Sequence, residues 1–468
     1  MSKVWKHGNI TLVNAECLGV LRQAPENSVD SIVTDPPYGL SKQPDMYEVL
    51  GHWLEGDEYV HNGSGFMGKS WDSFVPGPEI WKECFRILRP GGHIVAFAST
   101  RTYDLMAMSI RLGGFELRDT LCWHYGSGMP KSHNISKAID KMSGKKRVKI
   151  PVGNPVKRMI PGADQDRTGS WIKDNGRQYQ PGVEIPATEE AKYWDGWGTG
   201  LKPATELIVL ARKPVSEGTI ASNVLRWGTG GLNIDKCRVG TSKSVPASVS
   251  RGIEGNSLSG SVDGSLRHET GNESGHNPNV GRFPANLVHD GSPEVLEYFP
   301  DSKGQQGEVK NQKRLRRSPN SIYGSTGSAS DYVPREGSGS AARFFYCAKT
   351  SRKERQAGCD SLYWLTTRKK TEQITEDQYQ QFEVENEAGE KHKISKGNNH
   401  PTVKPVSLMT WLVSLVTPPE GRVLDPFNGS GSTGVACAKV GFPYIGIEKE
   451  ENSCTISKAR ILYWLGKK

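Results

Sequence analysis

The sequence predicts a doubly wound α/β sheet, built in two halves that a long irregular insertion separates. Short apolar, β-branched runs alternate with stretches of helical spacing at both ends of the chain. Ser, Gly, Asn and Pro dominate between about 214 and 341, where Asn256 to Gly264, Gly271 to Asn279 and Gly324 to Ser330 have the composition of loops. At 468 residues the chain has room for a large core and a second region besides.

The first half opens with a strand over Ile10 to Val13 and a helical stretch around Leu18 to Leu21. A buried-type strand, Ser31-Ile32-Val33-Thr34, then runs into Asp35-Pro36-Pro37-Tyr38. A helix over Pro78 to Leu88 is stopped by Arg89-Pro90-Gly91-Gly92, and His93 to Ala98 is the next strand. Tyr103 to Leu112 is a helix closed by Gly113-Gly114, with further strands at Leu117 to Trp123 and Thr205 to Ala211. The second half begins near His400 with a helix over Val406 to Val416 and a strand, Arg422 to Leu424, that enters a glycine-rich turn. A helix (Thr433 to Lys439), a strand (Tyr444 to Ile447) and an amphipathic helix (Ser453 to Leu465) complete it. The expected division is 1–213 for the first part of the core, 214–395 for the insertion and 396–468 for the second part.

Composition narrows the function classes. A formal net charge of +9 suits a surface that faces a polyanion, and is equally ordinary in a soluble basic protein. The 8 cysteines are scattered without a CxxC pair or metal-ligand spacing, so neither a structural zinc nor any other metal is expected. Cys84 and Cys437 sit in apolar stretches as buried thiols would in a reducing cytoplasm. The opening MSKVWKHGNI has no apolar leader and no apolar run reaches membrane-spanning length, so a soluble cytoplasmic protein is expected.

Two motifs carry chemistry. In Asp35-Pro36-Pro37-Tyr38, two prolines stiffen a loop at a strand end, where open α/β sheets bind ligands. An exocyclic base amine is a poor nucleophile, because its lone pair is delocalised into the ring. Alkylating it requires acceptors for the amine hydrogens and a flat face for an everted base. Asp35 and the Pro36 carbonyl can be the acceptors and Tyr38 the platform; a plain Pro-rich turn is the alternative. The second motif is Asp425-Pro426-Phe427-Asn428-Gly429-Ser430-Gly431-Ser432-Thr433-Gly434, with Glu448 about 20 residues on at a strand end. Taken literally it is the GxGxxG of dinucleotide binding. In either reading glycines let the backbone approach the cofactor and Glu448 accepts ribose hydroxyls. Asp425 would repel a pyrophosphate and suits the ammonium of a methionyl group, which favours S-adenosylmethionine. A third stretch, His400-Pro401-Thr402-Val403-Lys404-Pro405, is either a cofactor contact through Thr402 and Lys404 or a Pro-braced helix entry.

Together these motifs resemble the β class of amino-methyltransferases, in which the order is catalytic motif, target-recognition region, cofactor motif. The resemblance covers about 1–125, 200–213 and 400–465. It implies a Rossmann-like AdoMet-dependent methyltransferase fold, circularly permuted, with a seven-stranded, mostly parallel sheet carrying one antiparallel strand. It places Asp35, Pro36, Pro37 and Tyr38 in the catalytic loop, Phe427 to Gly431 in the AdoMet loop and Glu448 at the ribose. Glu16 stands where the family commonly has an Asp near the cofactor adenine. Trp123 to Ser132 and Gly281 to Leu287 resemble phage- and prophage-type members, Lys131 lying either near a phosphate or in a plain turn.

The implied reaction is site-specific methylation of an exocyclic amine in double-stranded DNA, adenine N6 first, because Asp at the first motif position leans toward adenine. Cytosine N4 is the close rival; an RNA or protein amide nitrogen, or a non-enzymatic DNA-binding module, ranks lower. Cytosine C5 chemistry needs a nucleophilic cysteine, usually after proline, and no Pro-Cys dipeptide occurs. The expected partner is DNA, gripped by Lys145-Lys146-Arg147, Lys313 to Arg317 and Arg343 to Arg355. No membrane is expected, and a homodimer is left open.

Overall fold

The computed structural model describes residues 3–40, 42–57, 59–61, 72–128, 130, 132–154, 156–157, 178–239, 282–302, 339–348, 351–367, 370–387 and 392–467. Lys131, the 313–317 cluster and most of the Ser/Gly-rich stretches lie outside them. The chain divides into two compact units, Met1–Gly126 with Thr205–Lys468, and Ser127–Ala204.

The larger unit is organised by a ten-stranded sheet. Its strands are β1 (Lys3–His7), β2 (Ile10–Asn14), β3 (Val29–Thr34), β4 (Leu88–Ala98), β5 (Glu116–His124), β6 (Thr205–Arg212), β7 (Leu287–His289), β8 (Tyr346–Cys347), β12 (Val423–Asp425) and β13 (Tyr444–Glu448), the labels β9 to β11 going to a smaller sheet below. The spatial order is β1-β2-β13-β12-β3-β4-β6-β5-β7-β8. From β2 to β5 this is the expected set of seven, in which β6 alone runs antiparallel to its neighbours β4 and β5. Three edge strands exceed the expectation: β1 forms a hairpin with β2, and β7 and β8 extend the far edge in parallel.

The central strands are buried on both faces, and alternation divides them between two cores. Val33, Val95 and Phe97 point to one face, against helices α5 (Val406–Val416), α6 (Ser432–Val440) and α7 (Glu451–Leu465). Ile32, Ile94 and Ala96 point to the other, against α1 (Cys17–Gln23), α2 (Met46–Glu55), α3 (Pro78–Ile87) and α4 (Tyr103–Leu112). One boundary departs from expectation. Arg89 to Gly92 does not separate helix from strand, because β4 begins at Leu88 directly after α3. Gly91 takes a left-handed φ of 80°, and the β3–β4 register slips between Val29 and Ser31, so a bulge absorbs the turn chemistry.

A three-stranded antiparallel sheet, β9 (Tyr363–Thr366), β10 (Thr371–Ile374) and β11 (Lys393–Lys396), packs its buried Trp364 with Cys359, Leu362 and Ile456 of α7. The smaller unit is centred on Asp140, which is 1% exposed. Its carboxylate accepts bonds from Ala187 N, Thr188 N, Thr188 Oγ1 and Arg147 Nε at 2.7–3.0 Å. No disulfide joins any of the eight cysteines. Among the described residues no helix is long and apolar enough to cross a membrane, and no His/Cys/Asp/Glu group is placed to hold a metal.

Candidate active site

The two motifs lie 390 positions apart in sequence and meet because β3 and β12 are parallel neighbours, with Ser31 opposite Val423 and Ile32 opposite Leu424. Each strand therefore delivers its loop to the same edge of the sheet. A buried hydrogen bond joins them: Thr34 Oγ1 donates to Asp425 Oδ1 at 2.6 Å. Thr433 Oγ1 adds a bond to the Val33 carbonyl at 3.3 Å.

The Asp35 loop is fixed by groups from elsewhere in the chain. Asp72 Oδ1 accepts the backbone N–H of Tyr38 (2.7 Å) and of Gly39 (3.2 Å), and Thr102 Oγ1 donates to the Tyr38 carbonyl at 2.6 Å. Lys404 Nζ donates to Asp35 Oδ2 at 2.7 Å and lies 3.4 Å from Glu206 Oε2. The Tyr38 phenol donates to the same Glu206 oxygen at 2.8 Å. Burial raises the Tyr38 phenol well above its ordinary value, and the charges of Asp35 and Glu206 add to this. Asp35 Oδ1 is buried without a partner among the described residues, an orphan acceptor just past the end of β3. Pro36 is buried and Pro37 half-buried.

The glycine loop builds itself from nearby backbone. Gly429 (φ 50°) and Gly431 (φ 77°) are left-handed, and a Cβ on Gly431 would sit 2.2 Å from Ser457 Oγ. Gly431 N donates to the Asn428 carbonyl at 2.8 Å, while Asn428 Oδ1 accepts from Tyr444 Oη (2.9 Å) and Ser457 Oγ (3.3 Å). Fully buried Arg460 donates through Nη1 to the Ser430 carbonyl at 2.7 Å and to the hydroxyls of Ser430 and Ser432. Glu448 accepts Gly429 N at 2.7 Å and Glu450 N at 2.8 Å, and burial pushes its carboxyl up to about 7. Asp425 also accepts Phe427 N at 3.1 Å; burial raises it to about 6 against the pull of its hydrogen bonds. Pro426 is buried, and half-buried Phe427 faces Trp81 with ring centroids 6.2 Å apart.

The stretch 400–404 spans both loops. His400 lies against the glycine loop, since a Cβ on Gly429 would be 3.3 Å from His400 Nε2, and Lys404 reaches Asp35. Burial lowers the His400 imidazole to about 4, so it is neutral at neutral pH. The segment is braced from behind, where Arg355 Nη2 donates to the His400 carbonyl at 2.6 Å and Asn398 Oδ1 accepts His400 N at 3.0 Å.

Asp35 to Tyr38, Lys404, Asp425 to Gly431 and Glu448 thus come together at one edge. Lys404 stands with the Asp35 loop, where its ion pair forms. Thr402 is exposed, and its carbonyl is 2.9 Å from His400 Nδ1. Glu16 is exposed near the end of β2, and its carboxylate caps α1 by accepting Leu18 N and Gly19 N. Of the basic clusters, Arg147 is paired with buried Asp140 and Arg343 and Arg355 bond carbonyls, while Lys145 and Lys146 are exposed. Glu206, Asp72, Thr102 and Arg460, which no motif contains, complete the edge. The one signal for Glu206 is a carboxylate in the otherwise apolar strand Leu207 to Ala211.

The sequence matches the N6/N4 methyltransferase family, described as DNA methylase, over residues 29–214 and 304–459. It is 43% identical over 61 residues to the type II methyltransferase M2.MboI of Moraxella bovis, covering 13% of this chain and 22% of the relative. With the type II methyltransferase M2.LlaDCHI of Lactococcus lactis subsp. cremoris it is 39% identical over 62 residues, 13% of this chain and 23% of the relative. The chain thus spans about a quarter of the length of the curated relatives it matches. The solved PvuII DNA methyltransferase (cytosine-N4-specific) aligns with 97% of this chain and 87% of its own, at 13% identity and a TM-score of 0.39.

Proposed function

This chain belongs to the N6/N4 DNA methylase family, and from that premise we propose that it methylates an exocyclic amine of an everted base in double-stranded DNA, adenine N6 before cytosine N4. The observation that carries this reading is the Thr34–Asp425 hydrogen bond, which sets an amine-accepting loop beside a cofactor loop. S-adenosylmethionine, the cofactor of the family, suits the groups present. The left-handed glycines open a cradle against His400 that a Cβ at position 429 would narrow, and Glu448 ends the neighbouring strand as an acceptor for ribose hydroxyls. When bound, the cofactor supplies an electrophilic sulfonium methyl.

The chain's own groups do the rest. Asp35 Oδ1 and the Pro36 carbonyl accept the amine hydrogens, so that the nitrogen lone pair is free for in-line attack. Held by the glycine loop and Glu448, the cofactor would supply the methyl and take up the electron pair of its C–S bond. The proton that the nitrogen then loses leaves on the Asp35 side. Tyr38 holds the base by its ring. No covalent enzyme intermediate is required.

Asp at the first position of the motif supports adenine, in keeping with the family tendency. DNA affinity is supported by charge: residues 127–204 carry 14 Lys and Arg against 8 Asp and Glu, a net +6 of the chain's +9. The 214–395 region remains the proposed site of target recognition. Incubation with a DNA oligonucleotide library and labelled cofactor, followed by nucleoside analysis, should yield N6-methyldeoxyadenosine. N4-methyldeoxycytidine would move the assignment to cytosine, and label in RNA or protein but not in DNA would overturn it.

A further inference from the structure

We propose that Glu206 is a positioning residue for the transfer: by holding Tyr38 through its phenol and Lys404 through its ammonium, it makes Asp35 present one defined oxygen to the amine. This rests on the function proposed above and adds to it a residue that neither motif contains.

The geometry is a closed chain of charges. Glu206 is the second residue of β6, the antiparallel strand, opposite Trp123 of β5. It accepts the Tyr38 phenol at 2.8 Å and lies 3.4 Å from Lys404 Nζ, which donates to Asp35 Oδ2 at 2.7 Å. Lys404 is only 6% exposed, and its ammonium is caged between the rings of Phe97 (4.9 Å) and Tyr38 (5.2 Å). A buried ammonium needs fixed counter-charges, and two carboxylates, one in the loop after β3 and one on β6, hold it where one would let it pivot. Lys404 consumes one Asp35 oxygen and leaves Oδ1 unbonded, so the lysine determines which oxygen is offered. Glu206 in turn determines where the lysine sits and how the Tyr38 ring is turned. The base platform and the amine acceptor are therefore set by one side chain.

The groups facing Lys404 are Asp35, Tyr38, Glu206, Tyr125 and His400. Burial draws the ammonium's pKa down, but Asp35 and Glu206 outweigh it and hold the value above 10.5. Glu206→Gln keeps the shape and an acceptor for Tyr38 but removes one of those two charges. The lysine then loses its proton at lower pH, and the alkaline limb of activity moves down with it.

The test uses the full-length protein in the DNA methylation assay, with cofactor affinity from calorimetry. E206Q should bind S-adenosylmethionine within about twofold of wild type and lose about tenfold in kcat, with its alkaline limb shifted to lower pH. Combined with Tyr38→Phe it should lose less than the product of the two single losses, since both act on the one chain Tyr38–Glu206–Lys404. E206D, which keeps the charge but shortens the reach, should lose kcat with the limb left in place. Unchanged kcat in E206Q would overturn the role. So would parallel loss of kcat and cofactor affinity with an unmoved alkaline limb, because that is the mark of a merely structural residue. A wild-type protein that methylates no DNA would instead remove the proposed function itself.

Discussion

The loop at Asp35 is shaped by side chains that arrive from Asp72, Thr102, Glu206 and Lys404, whereas the hydrogen bonds that shape the loop at Gly431 come from its own backbone and from residues 428–460. The first is two prolines on a strand end, with few backbone donors of its own, and must borrow its rigidity. The second contains glycines in left-handed conformations that other residues rarely adopt, and it closes on Asn428 and Glu448 nearby. A borrowed frame can couple catalysis to distant parts of the fold; a local frame can bind its ligand regardless of them. The two loops should therefore fail differently when altered.

Asp35→Ala is the strongest test of that separation. It removes the carboxylate proposed to meet the amine and should lower turnover on the order of 10³-fold. Cofactor affinity, measured by calorimetry, should stay within about threefold of wild type because the glycine loop makes no use of Asp35. Collapse of cofactor binding would show that the two frames are one. Gly431→Asp is the reverse experiment. A side chain there meets Ser457 and forces a strained φ of 77°, so cofactor affinity should fall about 10- to 100-fold. The Asp35–Lys404–Glu206 charges should remain intact and the variant should still bind DNA, which a gel-shift titration would report.

Thr34→Val acts on the hydroxyl that joins the frames. It leaves Asp425 with one donor fewer in a buried position, at a cost of about 1–3 kcal/mol in stability. Turnover and cofactor affinity should both fall, each by about tenfold or less, and in proportion. A loss confined to one of them would mean that the bond serves only that loop.

What was legible in the sequence follows the same division. The glycine loop and its strand, helix and Glu448 form a contiguous pattern, because the physics that shapes them is local: positive φ, a strand end and an acid about 20 residues on. The central strands were legible because burial on both faces leaves unbroken apolar runs such as Ile94 to Ala98. Glu206, Asp72 and Lys404 were not legible as partners of Asp35. Their contact depends on which strands become neighbours, and nothing near Asp35 records that β6 will return antiparallel beside β4. Edge strands such as β7 and β8 are only three and two residues long, too short for any period to register. Arg460 was hidden for a further reason: a buried cation on an amphipathic helix is indistinguishable in sequence from a solvated one until the loop above it is placed.

The mildest expected effect concerns the ionisation of the glycine loop's carboxylates. Burial raises Glu448 to about 7 and Asp425 to about 6, above their ordinary values of 4.5 and 3.8. The folded state consequently holds protons that the unfolded chain has released, and the stability this confers is present below about pH 4 and lost as pH rises through 6 and 7. His93 and His400, lowered to about 3 and 4, act in the opposite sense below 6.5, so a single melting curve would blend the two. Comparison with Glu448→Gln isolates the carboxylate, because the histidines are common to both proteins. Without cofactor, the melting-temperature advantage of wild type over Glu448→Gln should shrink by about 1–3 °C between pH 5 and pH 8. The same ionisation creates the acceptor for ribose hydroxyls, so wild-type cofactor affinity should rise over that interval while that of the Gln variant stays level. A gap in melting temperature that stayed level between pH 5 and pH 8 would mean that Glu448 is charged in the folded protein throughout, and that the glycine loop is held by an ion rather than by its backbone.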